Sequence, residues 1–361
     1  MLRIMMQALI CLAMALSVSA NAAKLQAWGY QAYWMPEGWR SAHIEQLDRI
    51  LFFELKIDAN GDVVERNGWP EQWQALRSDA KAHHVPLDLT LTLFDATTFE
   101  SLFSSRRATD HLLAVAVGLA KHDDVAGLHL DVELYDRIPP ATLAHYQEFV
   151  RDLSDRLRQL PTPRTLSVFF PMGGVSPLYD ASTLQKVRQV VVQGYDAHSS
   201  DSQFAGPVAP LGGDDEITWI KAVAQVHALG VASDRMILGF PLFGYEWRVR
   251  NKKSRSQTIG SGVPISFAPL PADVQSEITG HAQTGAKRRA TRHDAQSASA
   301  FYRTTDRHGQ LIEGWFEDHY SLIQKTNYLR QQRLGGIAFF ALGYDDGQLV
   351  NYFLQHRLGP Q

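Results

Sequence analysis

Gly127-Leu128-His129-Leu130-Asp131-Val132-Glu133 alternates apolar and polar residues over its whole length. In a strand, every second side chain points to the same face. Leu128, Leu130 and Val132 therefore share one face, and His129, Asp131 and Glu133 share the other. The polar face is a row of ionisable groups that closes on an acid at the strand's C-terminal end. Burying two carboxyls and an imidazole on one face costs several kcal/mol unless they are paired. The stretch is therefore either an exposed edge strand or the wall of a site, and its surroundings decide.

On both sides of it, short β-rich runs alternate with longer amphipathic ones. The strand candidates lie at about 26–33, 50–55, 87–93, 127–133, 165–170, 190–194, 236–241 and 336–341. Several are almost continuously apolar, as parallel strands covered on both faces must be. Between them, helical spacing is clearest after Pro139-Pro140, where Leu143, Tyr146, Val150, Leu153 and Leu157 recur every three or four residues. Similar patterns run over about 70–83, 109–121, 213–229 and 317–333. Eight strands separated by helices predict an α/β chain folded as one (β/α)8 TIM barrel. The competing open doubly wound sheet would call for a Gly-rich loop after the first strand, and none is there. The rhythm breaks between 248 and 315, a stretch too long for a plain loop. It holds Gly260-Ser261-Gly262, Thr279-Gly280, a basic run at 287–292 and a hairpin pattern around Asp306-Arg307-His308-Gly309. It is expected to be a small α+β insertion between strands seven and eight.

The chain has 361 residues, 45% hydrophobic and 20% charged, with a formal charge of −3. This is the profile of a globular protein with a large core, and it offers no basic stripe for nucleic acid. The cluster Arg248 to Arg255 reads as a solvated loop. At the N-terminus, Arg3, the apolar run Ile4–Val18 and Ala20-Asn21-Ala22 have the order of an export signal. Residues 1–22 are therefore expected to be removed, leaving 23–361 as the barrel, with the protein periplasmic or secreted and holding no membrane span. Cleavage would remove Arg3 and Cys11, the only cysteine, moving the charge to −4 and leaving no internal disulfide.

In a barrel of this kind, chemistry collects at the C-terminal ends of the strands. Glu133 stands at the end of the fourth. The sixth closes with Gln193-Gly194-Tyr195-Asp196, the eighth with Phe340, and the first carries Tyr30, Tyr33 and Trp34. Carboxyls ringed by aromatics suit a carbohydrate, whose flat faces stack on rings and whose hydroxyls need acceptors. Trp247, past the seventh strand, is a further expected sugar contact. His83-His84 would point to opposite sides of an extended backbone, and no Cys/His cluster has ligand spacing, so neither metal nor cofactor is expected.

These residues resemble glycoside hydrolase family 18, the chitinase-like enzymes. Gly29-Tyr30 looks like that family's first strand, and Gly127 to Glu133 like its Asp-Gly-x-Asp-x-Asp-x-Glu signature. Tyr195-Asp196 with His198 and Ala209-Pro210-Leu211 resembles the sixth strand, Leu238 to Tyr245 the seventh, and Gly335 to Phe340 the eighth. Phe301 to Asp306 through Trp315 to Asp318 resembles the spore-germination branch, whose members act on peptidoglycan-type glycans.

The resemblance implies a retaining, substrate-assisted hydrolase of glycans containing β-linked N-acetylglucosamine. Glu133 would be the general acid and then the base. Asp131 would hold the acetamido N–H, Tyr195 the acetamido oxygen, and Asp196 would support the sugar. Tyr30, Phe340, Trp247 and His129 would complete the substrate site.

The pattern also departs from the family. His129 replaces the usual inner aspartate and is expected to exchange a proton with Asp131 or to be a hydrogen-bonded core residue. Phe340 replaces the usual tryptophan floor, Ala126 replaces the leading aspartate, and Thr90 to Asp95 lacks the Ser-x-Gly-Gly of the third strand. Two alternatives stay open: an inactive carbohydrate-binding relative, and a hydrolase or transglycosylase of another exported polysaccharide.

Overall fold

A computed structural model describes residues 24–267, 291–306 and 308–358. The expected export signal at 1–22 lies outside the described residues. Strands β1 (Gln26–Ala32), β2 (Arg49–Ile57), β4 (Leu87–Leu93), β5 (Gly127–Val132), β6 (Thr165–Phe170), β7 (Gln189–Val192), β8 (Met236–Pro241) and β14 (Gly336–Phe340) pair in parallel. Because β1 bonds to both β2 and β14, the sheet closes into a (β/α)8 TIM barrel. A short β3 (Val63–Glu65) extends β2 antiparallel on the rim.

Alternation along the strands sorts side chains into two cores. Trp28, Tyr30, Leu51, Phe53, Phe169, Val191, Ile237 and Ala338 fill the barrel. Leu89, Leu91, Leu128, Leu130, Val132, Val168, Leu238 and Phe339 face outward into the larger core beneath the helices. Both faces are buried, which is why the strands read as nearly unbroken apolar runs.

The helices are α1 (Gln74–Ala82), α2 (Ala96–Ser104), α3 (Arg106–Ala120), α4 (Pro140–Arg158), α5 (Ala181–Lys186), α6 (Trp219–Ala228), α7 (His319–Gln332) and α8 (Gln348–His356). Proline opens α4 where its missing N–H costs nothing, and Leu143, Tyr146, Val150, Leu153 and Leu157 are its buried stripe. Side-chain caps start several others: Asp95 accepts from Thr98 N at 2.7 Å, Asp180 from Thr183 N at 2.7 Å and Thr218 from Lys221 N at 3.1 Å. At α7, Asp318 and Ser321 cap each other's backbone N–H reciprocally.

The expected insertion maps onto a second, antiparallel sheet in the order β10-β9-β13-β12-β11. Its strands are β9 (Phe243–Arg248), β10 (Val263–Ser266), β11 (Arg292–Asp294), β12 (Ser299–Thr305) and β13 (Leu311–Phe316). β9 begins two residues after β8 ends, so the sheet grows directly out of the top of the barrel. Thr279-Gly280 and most of the basic run at 287–292 lie outside the described residues. A buried ion pair, Glu317–Lys325, joins the end of β13 to α7, and Ser299 donates to Glu317 at 2.7 Å. Among the described residues, no helix is long and apolar enough to cross a membrane.

Candidate active site

The C-terminal end of β5 carries the acids. His129 and Asp131 point into the barrel and are buried, and Glu133, just past the strand, stands half-buried at the mouth. The backbone N–H of Glu133 donates to Leu93 O at 3.2 Å, and its Oε2 accepts from the Tyr135 hydroxyl at 3.0 Å. Burial, then the charge of Asp196, pushes the Glu133 carboxyl up to about 7, while the Tyr135 bond pulls it down. Asp131 is raised well above the ordinary carboxylate range by burial, then by Glu133 and Glu54. Its Oδ1 is buried with no partner among the described residues. Like charges this close cannot all ionise, so the pair holds a proton near neutral pH. A proton held at a strand end, in reach of the cleft, is what a general acid needs.

Opposite stands an aromatic wall. Tyr195 stacks on Phe340 with ring centroids 6.2 Å apart and planes inclined by 28°. Phe340 is flanked by Tyr30 and Phe53, each 5.4 Å away, and by Trp34 at 6.4 Å. The Tyr195 ring fits only because residue 239 is glycine: a Cβ there would lie 2.7 Å from Tyr195 Cε1. Burial raises the Tyr195 phenol, so it stays a hydroxyl donor. Asp196 follows with φ 67°, a left-handed conformation that aspartate tolerates better than most residues. The Gln193 amide donates to Asp196 at 3.4 Å, and burial brings the Asp196 carboxyl up to about 6. The structure thus brings Asp131, Glu133, Tyr195, Asp196 and Phe340 to one end of the barrel.

Three expected residues take other places. His129 does not bond to Asp131: Nε2 meets the Tyr30 hydroxyl at 2.9 Å and Nδ1 the Ser167 hydroxyl at 2.8 Å. Burial, then the charge of Arg49, lowers its pKa to about 3, so it is a neutral core imidazole and not a proton carrier. Tyr30 is 1% exposed and supports the wall from below. Trp247 is fully buried in the inserted sheet, 5.7 Å from Tyr245, with Nε1 donating to Ser200 O at 3.2 Å. It braces that sheet and does not line the cleft. Tyr245 and Trp247 share one face of β9, but Tyr245 stays half-exposed while Trp247 is covered by Ala205, Val249, Phe301 and Trp315.

Sequence reasoning missed Tyr135, whose spacing from Glu133 places it on the same side, and Gln193, whose amide needs the strand-end geometry to be read. It also missed Glu54 and Thr92. Plain alternation puts Glu54 on the helix side of β2. A bulge intervenes: Phe52 pairs with Leu89 and Leu55 with Leu91, so Phe53 and Glu54 together oppose one residue of β4. The slip sets Phe53 in the barrel core and Leu55 in the outer one, and turns the carboxyl between them toward the barrel. No sequence signal marks it.

A concavity of about 1270 Å³ opens at the opposite end of the barrel among Arg164, Arg188, Arg235, Arg330 and Arg333. Several of these arginines cap helix ends, Arg164 on Ala120 O at 3.0 Å and Arg330 on His356 O at 2.7 Å. It offers no pair of carboxyls and no aromatic face. Among the described residues, no group of three potential ligands could hold a metal ion.

A TIM barrel whose strand ends present a proton-holding acid pair facing stacked aromatic rings is a glycosidase architecture. The model of Glycosyl hydrolases family 18 matches residues 26–345, and the chain belongs to that family. It is a glycosidase.

Its relatives include the provisionally named sporulation-specific glycosylase YdhD of Bacillus subtilis (strain 168), 26% identical over 82% of this chain and 67% of that one. Another is the cortical fragment-lytic enzyme of the same organism, 22% identical over 81% of this chain and 63% of that one. The chain spans about half to two thirds of the length of these bacterial relatives.

The fold is that of the Bacillus megaterium QM B1551 spore cortex-lytic enzyme SleL, with a TM-score of 0.70 and 20% identity over 95% of this chain and 76% of that one. It is also that of a chitinase of the same family from Cycas revoluta bound to (GlcNAc)4, with a TM-score of 0.74 and 19% identity over 92% of this chain and all of the other.

Proposed function

We propose that the protein is a retaining glycoside hydrolase that cleaves N-acetylglucosamine-containing glycans by substrate assistance. The observation that carries this reading is the placement of Glu133 at the strand end, its Oε2 accepting from the Tyr135 hydroxyl, two residues beyond the buried Asp131, where burial raises its carboxyl to about 7. Residues two apart on one strand face lie roughly 7 Å apart, near enough for two carboxyls to share a proton when one turns.

Glu133 protonates the glycosidic oxygen as the C–O bond breaks. The substrate's own 2-acetamido oxygen attacks the anomeric carbon and forms an oxazolinium ion. Asp131 accepts the acetamido N–H and balances the positive charge, while the Tyr195 hydroxyl donates to the acetamido oxygen and aims it. Asp196, beside Tyr195, receives sugar hydroxyls. Water then enters, Glu133 takes its proton, the ring opens, and the anomeric configuration is retained. Phe340 offers a ring face under the sugar with less area than an indole and no N–H, which favours weaker holding at that position.

Relatives named for lysis of spore cortex favour a peptidoglycan-type glycan over chitin. The order of charge, apolar run and small residues in 1–22 favours export to the periplasm or beyond. The test is product analysis after incubation with chito-oligosaccharides and with purified peptidoglycan, comparing wild type with Glu133→Gln. Cleavage by wild type alone is expected. Binding without cleavage by wild type would make the protein a carbohydrate-binding relative, and equal cleavage by Glu133→Gln would overturn the role of Glu133.

A further inference from the structure

Three buried polar atoms face one another behind the acid pair, and the mechanism above uses none of these contacts. They are Glu54 Oε2, Thr92 Oγ1 and Asp131 Oδ1: none makes a well-formed hydrogen bond among the described residues, and the hydroxyl that eases the Glu54 carboxyl is that of the neighbouring Thr92. Thr92 is the residue of β4 in register with Asp131. Glu54 lies beside Thr92 from the other side, in the β2 bulge, with its backbone carbonyl held by the Asn67 amide at 2.9 Å. A buried carboxylate oxygen left without a full partner costs stability, so its retention among apolar neighbours calls for an explanation. On the same strand pair, His129 is spent on Tyr30 and Ser167 and gives Asp131 nothing.

We propose that Glu54 is a positioning residue for catalysis, acting through Asp131: its negative charge, set behind Asp131 across the Thr92 hydroxyl, keeps the shared proton on Asp131 and Glu133. This rests on the roles given to those two residues above.

The surrounding groups fit the assignment. Glu54 is raised by burial, with Thr92 and Lys56 opposing and Glu65 adding to the rise. Lys56 and Glu65 face it from the rim, where they bond to each other at 3.2 Å in solvent. Asp131 faces it from β5. The neighbour most open to its charge is therefore Asp131, which that charge pushes further up. An ionised Glu54 makes loss of the pair's proton costlier, so the acid survives to higher pH.

Two neutral replacements test this, Glu54→Gln, which keeps the shape, and Glu54→Leu, which suits the apolar bulge should the amide not fold. Glu54→Asp retains the charge. Two readouts are compared with wild type: the alkaline limb of kcat/KM on an N-acetylglucosamine oligomer, and the carboxyl carbon titration of Glu133 by NMR in the free protein. The neutral variants should move both downward by about one pH unit, lowering kcat at pH 7–8 with KM unchanged, and Glu54→Asp should restore most of the loss. An unmoved limb together with an unmoved carbon titration overturns the proposal, because a merely structural Glu54 changes amplitude and melting temperature alone. A wild type that cleaves no glycan would overturn the functional reading and the catalytic role of Glu54 with it, whereas cleavage by wild type with neither readout moved in the neutral variants overturns the role of Glu54 alone.

Discussion

At the scale of the residue, Glu133 sets activity against stability. Its carboxyl rises from 4.5 to about 7 on folding, so folding takes up a proton between those values. A raised carboxyl therefore destabilises the fold progressively as pH climbs through that window, and costs nothing below it. Glu133→Gln should abolish hydrolysis, keep glycan binding, and stabilise the protein above pH 7 by on the order of 1–3 kcal/mol. Urea unfolding at pH 8 and at pH 4 checks this, with the gain expected to vanish at pH 4. A gain equal at both values would mean that the carboxyl is not perturbed. Asp131 and Glu133 were legible because period-two alternation is all that is needed to put them on one face. His129 lies on the same face but deeper, where Tyr30 and Ser167 meet it from β1 and β6. Those partners are 99 and 38 residues away in the chain, and no local pattern foretells them.

At the scale of the element, all eight barrel strands were readable from apolar runs, with ends displaced by no more than two residues. Short elements escaped, β3 with three residues and α5 with six, and so did the nine-residue helices α2 and α8. β9 was also hidden, because it follows β8 with one residue between and shares its apolar character. That is why Trp247 read as a ligand platform. Trp247→Ala should destabilise the protein by about 3–5 kcal/mol, the range for a buried tryptophan. Trp247→Phe should leave oligosaccharide affinity within twofold of wild type, measured by titration calorimetry, whereas a loss of tenfold or more would place this side chain in the cleft after all. The cap of α7 is worth a separate test: Asp318→Ala should cost about 1 kcal/mol in chemical denaturation.

At the scale of the whole molecule, the inserted sheet and the barrel are joined where Glu317 and Lys325 bury an ion pair below Trp219 and Phe240. Removing one partner leaves a bare buried charge, so Lys325→Met should cost about 3–5 kcal/mol. Lys325→Met with Glu317→Leu should recover most of that loss, and kcat per folded molecule should not change in either. Thermal unfolding beside an activity assay distinguishes this from a role of the pair in the cleft. The closed barrel gathers the strand ends of β5, β7 and β14 into one mouth, although their residues are spread from 133 to 340. The mouth is what brings Glu133, Tyr195 and Phe340 together, and in the mechanism proposed above the acetamido group of the substrate would supply the nucleophile. The most direct measurement of that claim is the configuration of the newly released reducing end, followed by proton NMR in the first minutes of hydrolysis of an N-acetylglucosamine oligomer. The β-anomer should appear first and the α-anomer only later by mutarotation; α-anomer formed from the outset would contradict the account.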